Sequence, residues 1–423
     1  MRKLVATAVL VGSWVGTAAA QGPAAARAEA HGFDPERLGR IETALQQYVD
    51  DGQVAGAVAL VLRDGEVVYE QTVGWIDREA QRPMPSTAIF RIASQTKAIT
   101  STAVMMLVEE GLIALNDPVS RWIPTFAATT VAVRSDSGVT IAPARRSITI
   151  RDLLTHTSGI SYGGEPYIAE RYQAQELGYG EAYGWYTADD SEPICDKMER
   201  LGTLPFARQP GEAWVYGYST DVLGCVVERA SGTPLDRFIR ERITEPLGMA
   251  DTYFYLPPEK ADRLATVYAP DSADLAVRAP EGARGQGHYV EGPRISFAGG
   301  AGLLSTARDY ARFLEMLRNG GELDGVRILS PQTVALMTTN QVGELRDTNG
   351  LGFGLGFETV DRLGASGFSS EGNFGWSGAY GSSYEVDPSR RLVMVLMLQL
   401  VPFAGLGIRD SFETAVYQAL IDP

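Results

Sequence analysis

The chain has 423 residues, of which 45% are hydrophobic and 21% are charged. This is the composition of a globular protein, and the length predicts two or three structural units. A formal net charge of −15 at pH 7 argues against nucleic acids and anionic membrane surfaces as partners.

The N-terminus has the pattern of a secretory signal peptide over residues 1–20. Met1-Arg2-Lys3 is a basic start, residues 4–15 form an apolar stretch, and Ala18-Ala19-Ala20 is a small-residue cleavage site. A transmembrane anchor is the alternative, although the stretch is short for a bilayer. We therefore expect export to a periplasm or to the medium, with no stable membrane insertion after cleavage.

The mature chain begins with a predicted helix and a predicted hairpin. Asp34 is a suitable N-cap and Pro35 suits the first turn of a helix. Two strand-like runs, residues 54–63 and 66–75, are joined by Asp64-Gly65, which is the signal of a type I′ turn.

Ser94 and Lys97 form the only S-x-x-K pair, and they precede the apolar run of residues 98–108. The run predicts a buried helix that ends near Gly111, and positions three apart share one face of a helix. Burial disfavours the charged amine, so Lys97 is predicted to be the base that activates Ser94. Chance is the alternative, because about one or two such matches are expected in a chain of this length.

After this helix the pattern changes to short helices and loops rich in Gly, Pro and Tyr. Three late runs have the pattern of strands: residues 351–359, 380–386 and 391–400. A helix is predicted at residues 411–421. We predict an α/β domain of residues 21–115 and 294–423, a mainly helical domain of residues 116–293, and an active site between them.

Cysteine and histidine usage restricts the chemistry. Cys195 and Cys225 are the only cysteines, and they form either a disulfide worth roughly 3 to 4 kcal/mol or two unrelated buried thiols. No metal or nucleotide motif is present, so we predict no cofactor and no metal. A Ser-His-Asp hydrolase is set aside, because G-x-S-x-G is absent and the three histidines are His31, His156 and His288. For His156 we expect a structural role.

Two further stretches carry candidate site residues. The first contains Tyr216 and Tyr218, in a loop where a phenol can transfer a proton to a leaving group. The second is residues 374–382, whose glycines let the backbone approach a ligand. An N–H there could form an oxyanion hole together with the N–H of Ser94. Taken alone, a core tyrosine and an aromatic strand edge are the alternatives.

The order of S-x-x-K, loop tyrosine and Gly-containing triad resembles that of the serine β-lactamases and penicillin-binding proteins. More closely, the chain resembles the class C β-lactamase superfamily and, within it, the family VIII carboxylesterases. Four further segments carry the resemblance: residues 150–159, 221–224, 246–252 and 299–306. It implies the β-lactamase and penicillin-binding-protein fold, an antiparallel sheet flanked by helices together with a mainly helical domain.

The resemblance also implies roles for single residues. Ser94 is the acylated nucleophile, Lys97 the base and Tyr216 the partner in proton transfer. Tyr218 is a rival, since Tyr218-Ser219 also forms a Y-S pair. The spacing to residues 221–224 favours Tyr216, and we expect Tyr218 to line the pocket.

Trp376-Ser377-Gly378 stands where lactamases carry Lys-Thr-Gly, and the N–H of Ala379 would complete the oxyanion hole. Trp376 offers an aromatic face and an N–H but no charge, and loss of a charged contact costs roughly 1.5 to 3 kcal/mol of recognition. We therefore expect an esterase acting on neutral esters. A β-lactamase or D-Ala-D-Ala peptidase, an acyltransferase of the same fold, and a non-catalytic peptidoglycan-binding relative are the alternatives.

Overall fold

The computed structural model describes residues 23–136, 138–177, 188–283, 285–347, 349–403 and 405–422. The predicted signal peptide lies outside these ranges. Among the helices within them, none has the length and apolar character needed to cross a membrane.

The α-helices of the described ranges are α1 (Pro23–Ala30), α2 (Pro35–Asp50), α3 (Thr96–Glu109), α4 (Ile150–Leu154), α5 (Ala169–Gln173), α6 (Ile194–Leu201), α7 (Ser219–Ser231), α8 (Leu235–Ile239), α9 (Ala307–Arg318), α10 (Pro331–Met337) and α11 (Ile408–Ala419). The strands are β1 (Gly56–Arg63), β2 (Glu66–Asp77), β3 (Arg82–Pro83), β4 (Phe90–Arg91), β5 (Thr130–Ser135), β6 (Gly138–Pro143), β7 (Pro205–Phe206), β8 (Tyr268–Pro270), β9 (Ala276–Arg278), β10 (Leu304–Ser305), β11 (Glu322–Leu323), β12 (Val326–Arg327), β13 (Leu351–Phe353), β14 (Glu358–Val360), β15 (Phe374–Ser377), β16 (Ser383–Asp387) and β17 (Leu392–Met397).

The central element is an eight-stranded antiparallel sheet with the strand order β13-β14-β15-β16-β17-β1-β2-β3. The N-terminal hairpin β1–β2 therefore joins the C-terminal strands through β17. Asp64 and Gly65 both have positive φ, as a type I′ turn requires. The predicted hairpin is confirmed.

Helices cover both faces of the sheet, which explains why every residue of β1 is buried. Successive side chains of a strand point to opposite faces. Ala59 and Val61 lie in one hydrophobic layer with residues of α2 and α11, while Leu60 and Leu62 lie in the other with residues of α3 and α9. The predicted fold class, an antiparallel sheet flanked by helices, is confirmed.

Two local features differ from the sequence predictions. Residues 351–359 form the hairpin of β13 and β14 instead of one strand, because Gly356 has a φ of +102°, which interrupts an extended strand. Within residues 116–293, where the sequence indicated few strands, β5 and β6 form an antiparallel hairpin with six residues in each strand.

Cys195 of α6 and Cys225 of α7 form a disulfide, with their Cα atoms 5.1 Å apart. The pairing that the sequence left open is therefore made. It ties together two helices of the region that carries Tyr216.

Candidate active site

Ser94 and Lys97 lie at the start of α3, the helix predicted from the S-x-x-K run. Ser94 belongs to a short 3₁₀ turn, Ala93–Gln95, and Lys97 to the first turn of the helix. Residues 96–107 are all buried, so protein surrounds the helix on every side. Lys97 Nζ donates a hydrogen bond of 3.1 Å to Ser94 Oγ, as the spacing of the motif predicted.

Lys97 is held by two further hydrogen bonds. Its Nζ donates to the hydroxyl of Tyr162 at 3.2 Å and to the carbonyl of Gly300 at 2.8 Å. The N–H of Gly300 in turn donates to the carboxylate of Asp221 at 3.0 Å. A Cβ at Gly300 would lie 2.5 Å from that carboxylate, so only glycine fits at this position beside Asp221. Asp221 thus positions Lys97 through Gly300.

Tyr216 lies in the loop that precedes α7, beside the amine of Lys97. The Nζ atom is 4.7 Å from the centroid of the Tyr216 ring, within cation–π range. The hydroxyl of Tyr216 accepts a hydrogen bond of 3.0 Å from Nε1 of Trp376. The structure therefore brings the predicted tyrosine, lysine and tryptophan together, with the phenol oxygen directed to the indole.

Tyr218 does not line the cavity above Ser94, contrary to the sequence expectation. Its side chain is 3% exposed, its hydroxyl donates to the carbonyl of Leu177 at 2.8 Å, and its ring packs edge-on against Tyr162. Burial, with Asp221 nearby, raises the pKa of Tyr218, which disfavours a phenolate. Tyr218 lies just before α7 with its side chain directed into the protein interior, where it packs against the ring of Tyr162.

A cavity of about 300 Å³ lies over Ser94. Six of the residues in its wall were predicted from the sequence: Ser94, Tyr216, Trp376, Ser377, Gly378 and Ala379. Three were not: Tyr162, Phe403 and Arg409. For Tyr162 the available signal was its place in the loop that follows the T-H-T-S-G segment.

Gly378 allows the end of β15 to approach Ser94. A Cβ at this position would lie 2.5 Å from the carbonyl of Ile92, two residues before Ser94. The turn that follows is closed by the Gly378 N–H, which donates to the carbonyl of Ser382 at 2.8 Å. Ala379 is thereby placed in the wall of the same cavity as Ser94, as the oxyanion-hole prediction requires.

Arg409 of α11 holds this turn from the other side. Its guanidinium donates to the carbonyls of Gly381, Gly378 and Ser382 at 2.8, 3.0 and 3.2 Å. Burial lowers the pKa of Arg409 to about 10, so the group remains charged at neutral pH. Arg409 is therefore a positioning residue for the backbone next to Ser94.

His156 is a structural neighbour of Tyr216. Its side chain is 1% exposed, and its ring centroid lies 4.8 Å from that of Tyr216. Burial and the nearby charge of Lys97 lower the pKa of His156 well below its usual value, so the ring is neutral. Its carbonyl accepts the N–H of Val215 at 2.8 Å, which shapes the loop that carries Tyr216.

We expect Tyr216→Phe to lower kcat for hydrolysis at Ser94 by about 100-fold or more. The sequence predicts that Tyr216 transfers a proton, and positioned proton transfer contributes ~10²–10⁴-fold. Tyr218→Phe should keep its kcat and lose about 1 kcal/mol of stability, the value of its hydrogen bond to Leu177. Steady-state kinetics and thermal melts of both variants and of Tyr162→Phe distinguish the roles of the three phenols. A fully active Tyr216→Phe would rule out its role in proton transfer.

The fold and the site together define a serine hydrolase with the fold of β-lactamases and penicillin-binding proteins. The family model described as Beta-lactamase matches residues 41–418, and the chain belongs to this family.

The chain is 38% identical over 380 residues to an uncharacterized protein of Mycobacterium tuberculosis, covering 85% of this chain and 90% of the relative. It is 33% identical over 402 residues to esterase EstB of Burkholderia gladioli, with coverage of 89% and 94%. The solved structure of EstCE1, described as a hydrolase with promiscuous acyltransferase activity, aligns with a TM-score of 0.75 at 29% identity, over 90% of this chain and 99% of that one.

Proposed function

We propose that this protein is an exported esterase that cleaves carboxylic esters through an acyl-serine intermediate. Ser94 is the nucleophile, Lys97 the base and Tyr216 the proton-transfer partner. The observation that carries the proposal is the hydrogen bond of 3.1 Å between Lys97 Nζ and Ser94 Oγ at the start of the buried helix α3. Ser94 also lies in the wall of the cavity.

The geometry supports a two-step reaction. Lys97 accepts the proton of Ser94 as Oγ attacks the ester carbonyl, and the N–H groups of Ser94 and Ala379 stabilise the oxyanion. Tyr216 passes a proton to the departing alcohol. Water then attacks the acyl-serine, and the same groups act in reverse to release the carboxylic acid and regenerate Ser94.

The aromatic wall of the cavity favours neutral acyl esters over anionic lactams. Trp376 brings an indole whose N–H is already donated to Tyr216. The cation in the wall, Arg409, donates to three backbone carbonyls of the adjacent turn. The substrate carboxylate of a β-lactam would therefore meet no lysine among the residues described in this wall, and Nε and Nη2 of Arg409 are already bonded to backbone carbonyls.

Trp376→Lys should shift the preference from esters towards lactams. A charged contact is worth roughly 1.5 to 3 kcal/mol, so the ratio of kcat/KM for a chromogenic cephalosporin to that for a short ester should rise at least about 10-fold. Trp376→Phe is the control, since it removes the indole N–H without adding charge. An unchanged ratio in the lysine variant would show that charge at this position does not decide between the substrates.

Acyl transfer to an alcohol is the second candidate function. The similarity to EstCE1 supports it. Adding a primary alcohol to the ester assay distinguishes the two reactions. A transferase forms the new ester at the expense of the acid, whereas a strict hydrolase forms only the acid.

The proposal is tested by comparing rates on a short p-nitrophenyl ester, a chromogenic cephalosporin and a D-Ala-D-Ala peptide. We expect the ester to be the best substrate by kcat/KM. Faster turnover of the cephalosporin or of the peptide would replace the esterase proposal with the corresponding lactamase or peptidase.

Export is part of the proposal. It is supported by the predicted signal peptide of residues 1–20 and by the Cys195–Cys225 disulfide, since disulfides persist in oxidising compartments. Cell fractionation of a host expressing the full chain, with N-terminal sequencing of the product, tests it. Full-length protein retained in the cytoplasm would contradict it.

A further inference from the structure

Trp214 lies two residues before Tyr216 in the same loop and stacks on it. The ring planes of the two residues are 16° apart, and their centroids are 5.7 Å apart. Aromatic pairs contribute beyond the area that they bury and favour particular orientations of the two rings. Trp214 lies outside the described wall of the cavity over Ser94, so it contacts the phenol and not an ester bound in that cavity.

Arg346, in the loop before β13, packs on Trp214 in turn. Its Cζ atom is 4.4 Å from the centroid of the Trp214 ring and 6.0 Å from that of Trp376. The guanidinium is charged at neutral pH, and its planar group stacks on aromatic faces that also attract its charge. Like Trp214, Arg346 lies outside the described wall of the cavity over Ser94. It therefore contacts the site through the two tryptophans.

Glu358 of β14 holds the guanidinium in this place. Nη2 of Arg346 donates to Oε2 of Glu358 at 2.5 Å, and the two side chains are 23% and 25% exposed. In the sheet, Glu358 stands opposite Gly375 of β15, the residue before Trp376. The ion pair is thus anchored beside the strand that brings Trp376 to the cavity.

We infer that Arg346 is a positioning residue for proton transfer by Tyr216, an inference that rests on the proposed ester hydrolysis. Arg346 acts through Trp214, on which it packs and which in turn stacks on the phenol. The phenol ring also lies 4.7 Å from Nζ of Lys97, and its oxygen accepts the Nε1–H of Trp376. The plane of the ring and the position of its oxygen are therefore both fixed.

A fixed phenol matters most for alcohols that are poor leaving groups. As the C–O bond breaks, its electron pair goes to the alcohol oxygen, and an alkyl alcohol takes a proton there from Tyr216. Tyr216 is replenished by the proton that Lys97 took from Ser94. A p-nitrophenolate, in contrast, departs as an anion. A remote substitution that misplaces a group by about 1 Å can lower a rate about 100-fold. Loss of the guanidinium should therefore slow the hydrolysis of alkyl esters selectively.

The test compares ethyl butanoate with p-nitrophenyl butanoate, which form the same acyl-serine and differ in kcat/KM only through acylation. Arg346→Met should lower kcat/KM about 10-fold or more for the ethyl ester and less than about 2-fold for the p-nitrophenyl ester. Trp214→Leu should have the same selective effect, whereas Trp214→Phe, which keeps a flat ring, should not. Arg263→Met is the control, because it removes an ion pair of similar burial, with Asp251, and should leave the ratio of the two values unchanged.

Combining Arg346→Met with Tyr216→Phe should slow the ethyl ester no further than Tyr216→Phe alone, since the arginine acts through the phenol. Equal losses on both esters in Arg346→Met, or losses that add in the double variant, overturn the inference. If Arg346→Met fails to fold, Trp214→Leu carries the same comparisons. Turnover of p-nitrophenyl butanoate by the unmodified protein reports separately on the proposed hydrolysis. Independently of turnover, a crystal structure of Arg346→Met should show the Tyr216 ring displaced from Nζ of Lys97, and an unmoved ring would also overturn the inference.

Discussion

Ser94→Ala should abolish ester turnover and the acyl adduct together. The hydroxyl of Ser94 is the predicted nucleophile, and its loss leaves only binding and the backbone N–H groups to act on the ester. The expected fall in kcat is about 10⁴-fold or more, which corresponds to at least ~5.5 kcal/mol of transition-state stabilisation. Intact-protein mass spectrometry after a rapid quench with a short p-nitrophenyl ester detects the adduct, and release of p-nitrophenol gives the rate.

Ser101→Ala is the matched control for this experiment. Ser101 is a buried serine of the same helix, 1% exposed, and it lies outside the wall of the cavity. It should retain both turnover and the adduct. An adduct that persists in Ser94→Ala, or the absence of an adduct with every ester and lactam tried on the unmodified protein, would refute the acyl-serine mechanism.

Lys97→Met should lower kcat by ~10²–10⁴-fold while the protein stays folded. Methionine is unbranched and fills the space of the lysine stem inside the enclosed helix, so the loss is chemical and not a packing defect. The acyl adduct should still form, but slowly, because Ser94 remains in place without its base. Burst-phase kinetics, with the adduct followed by mass spectrometry over a long incubation, measure the acylation step directly.

Lys197→Met separates catalysis from the general cost of removing a buried lysine. Lys197 is 6% exposed and forms an ion pair of 2.5 Å with Asp190, away from the cavity. This substitution should lower the melting temperature and leave kcat of the folded fraction intact. If Lys97→Met matches the unmodified protein in kcat, another group must deprotonate Ser94.

The features that could be predicted from sequence are those set by neighbours in the chain. The turn at Asp64-Gly65 and the meeting of Ser94 and Lys97 follow from backbone geometry within a few residues. Tyr162 escaped prediction because it lies in an irregular loop without periodicity, and only the fold brings its hydroxyl to Lys97. Arg409 was missed for the same reason, since at the start of α11 its residue type indicates an ordinary surface position.

The two neighbouring tyrosines show most clearly which features the sequence alone does not predict. Spacing to residues 221–224 selected Tyr216 over Tyr218 as the proton-transfer tyrosine, and Tyr216 lies in the cavity wall. The separate expectation that Tyr218 lines the pocket is wrong. Which of two phenols in one loop faces the cavity depends on the packing of Tyr162 and on the hydrogen bond to Leu177, and both partners come from a different segment of the chain. Sequence spacing contains no information about that packing.

The parts of the site come from distant points of the chain, which has a consequence for biosynthesis. Lys97 and Gly300 are 203 residues apart, and Tyr216 and Trp376 are 160 residues apart. The turn next to Ser94 is held by Arg409, in the last helix of the described chain. A growing polypeptide therefore carries its serine early but acquires hydrolytic activity only when the final helix has been made and docked.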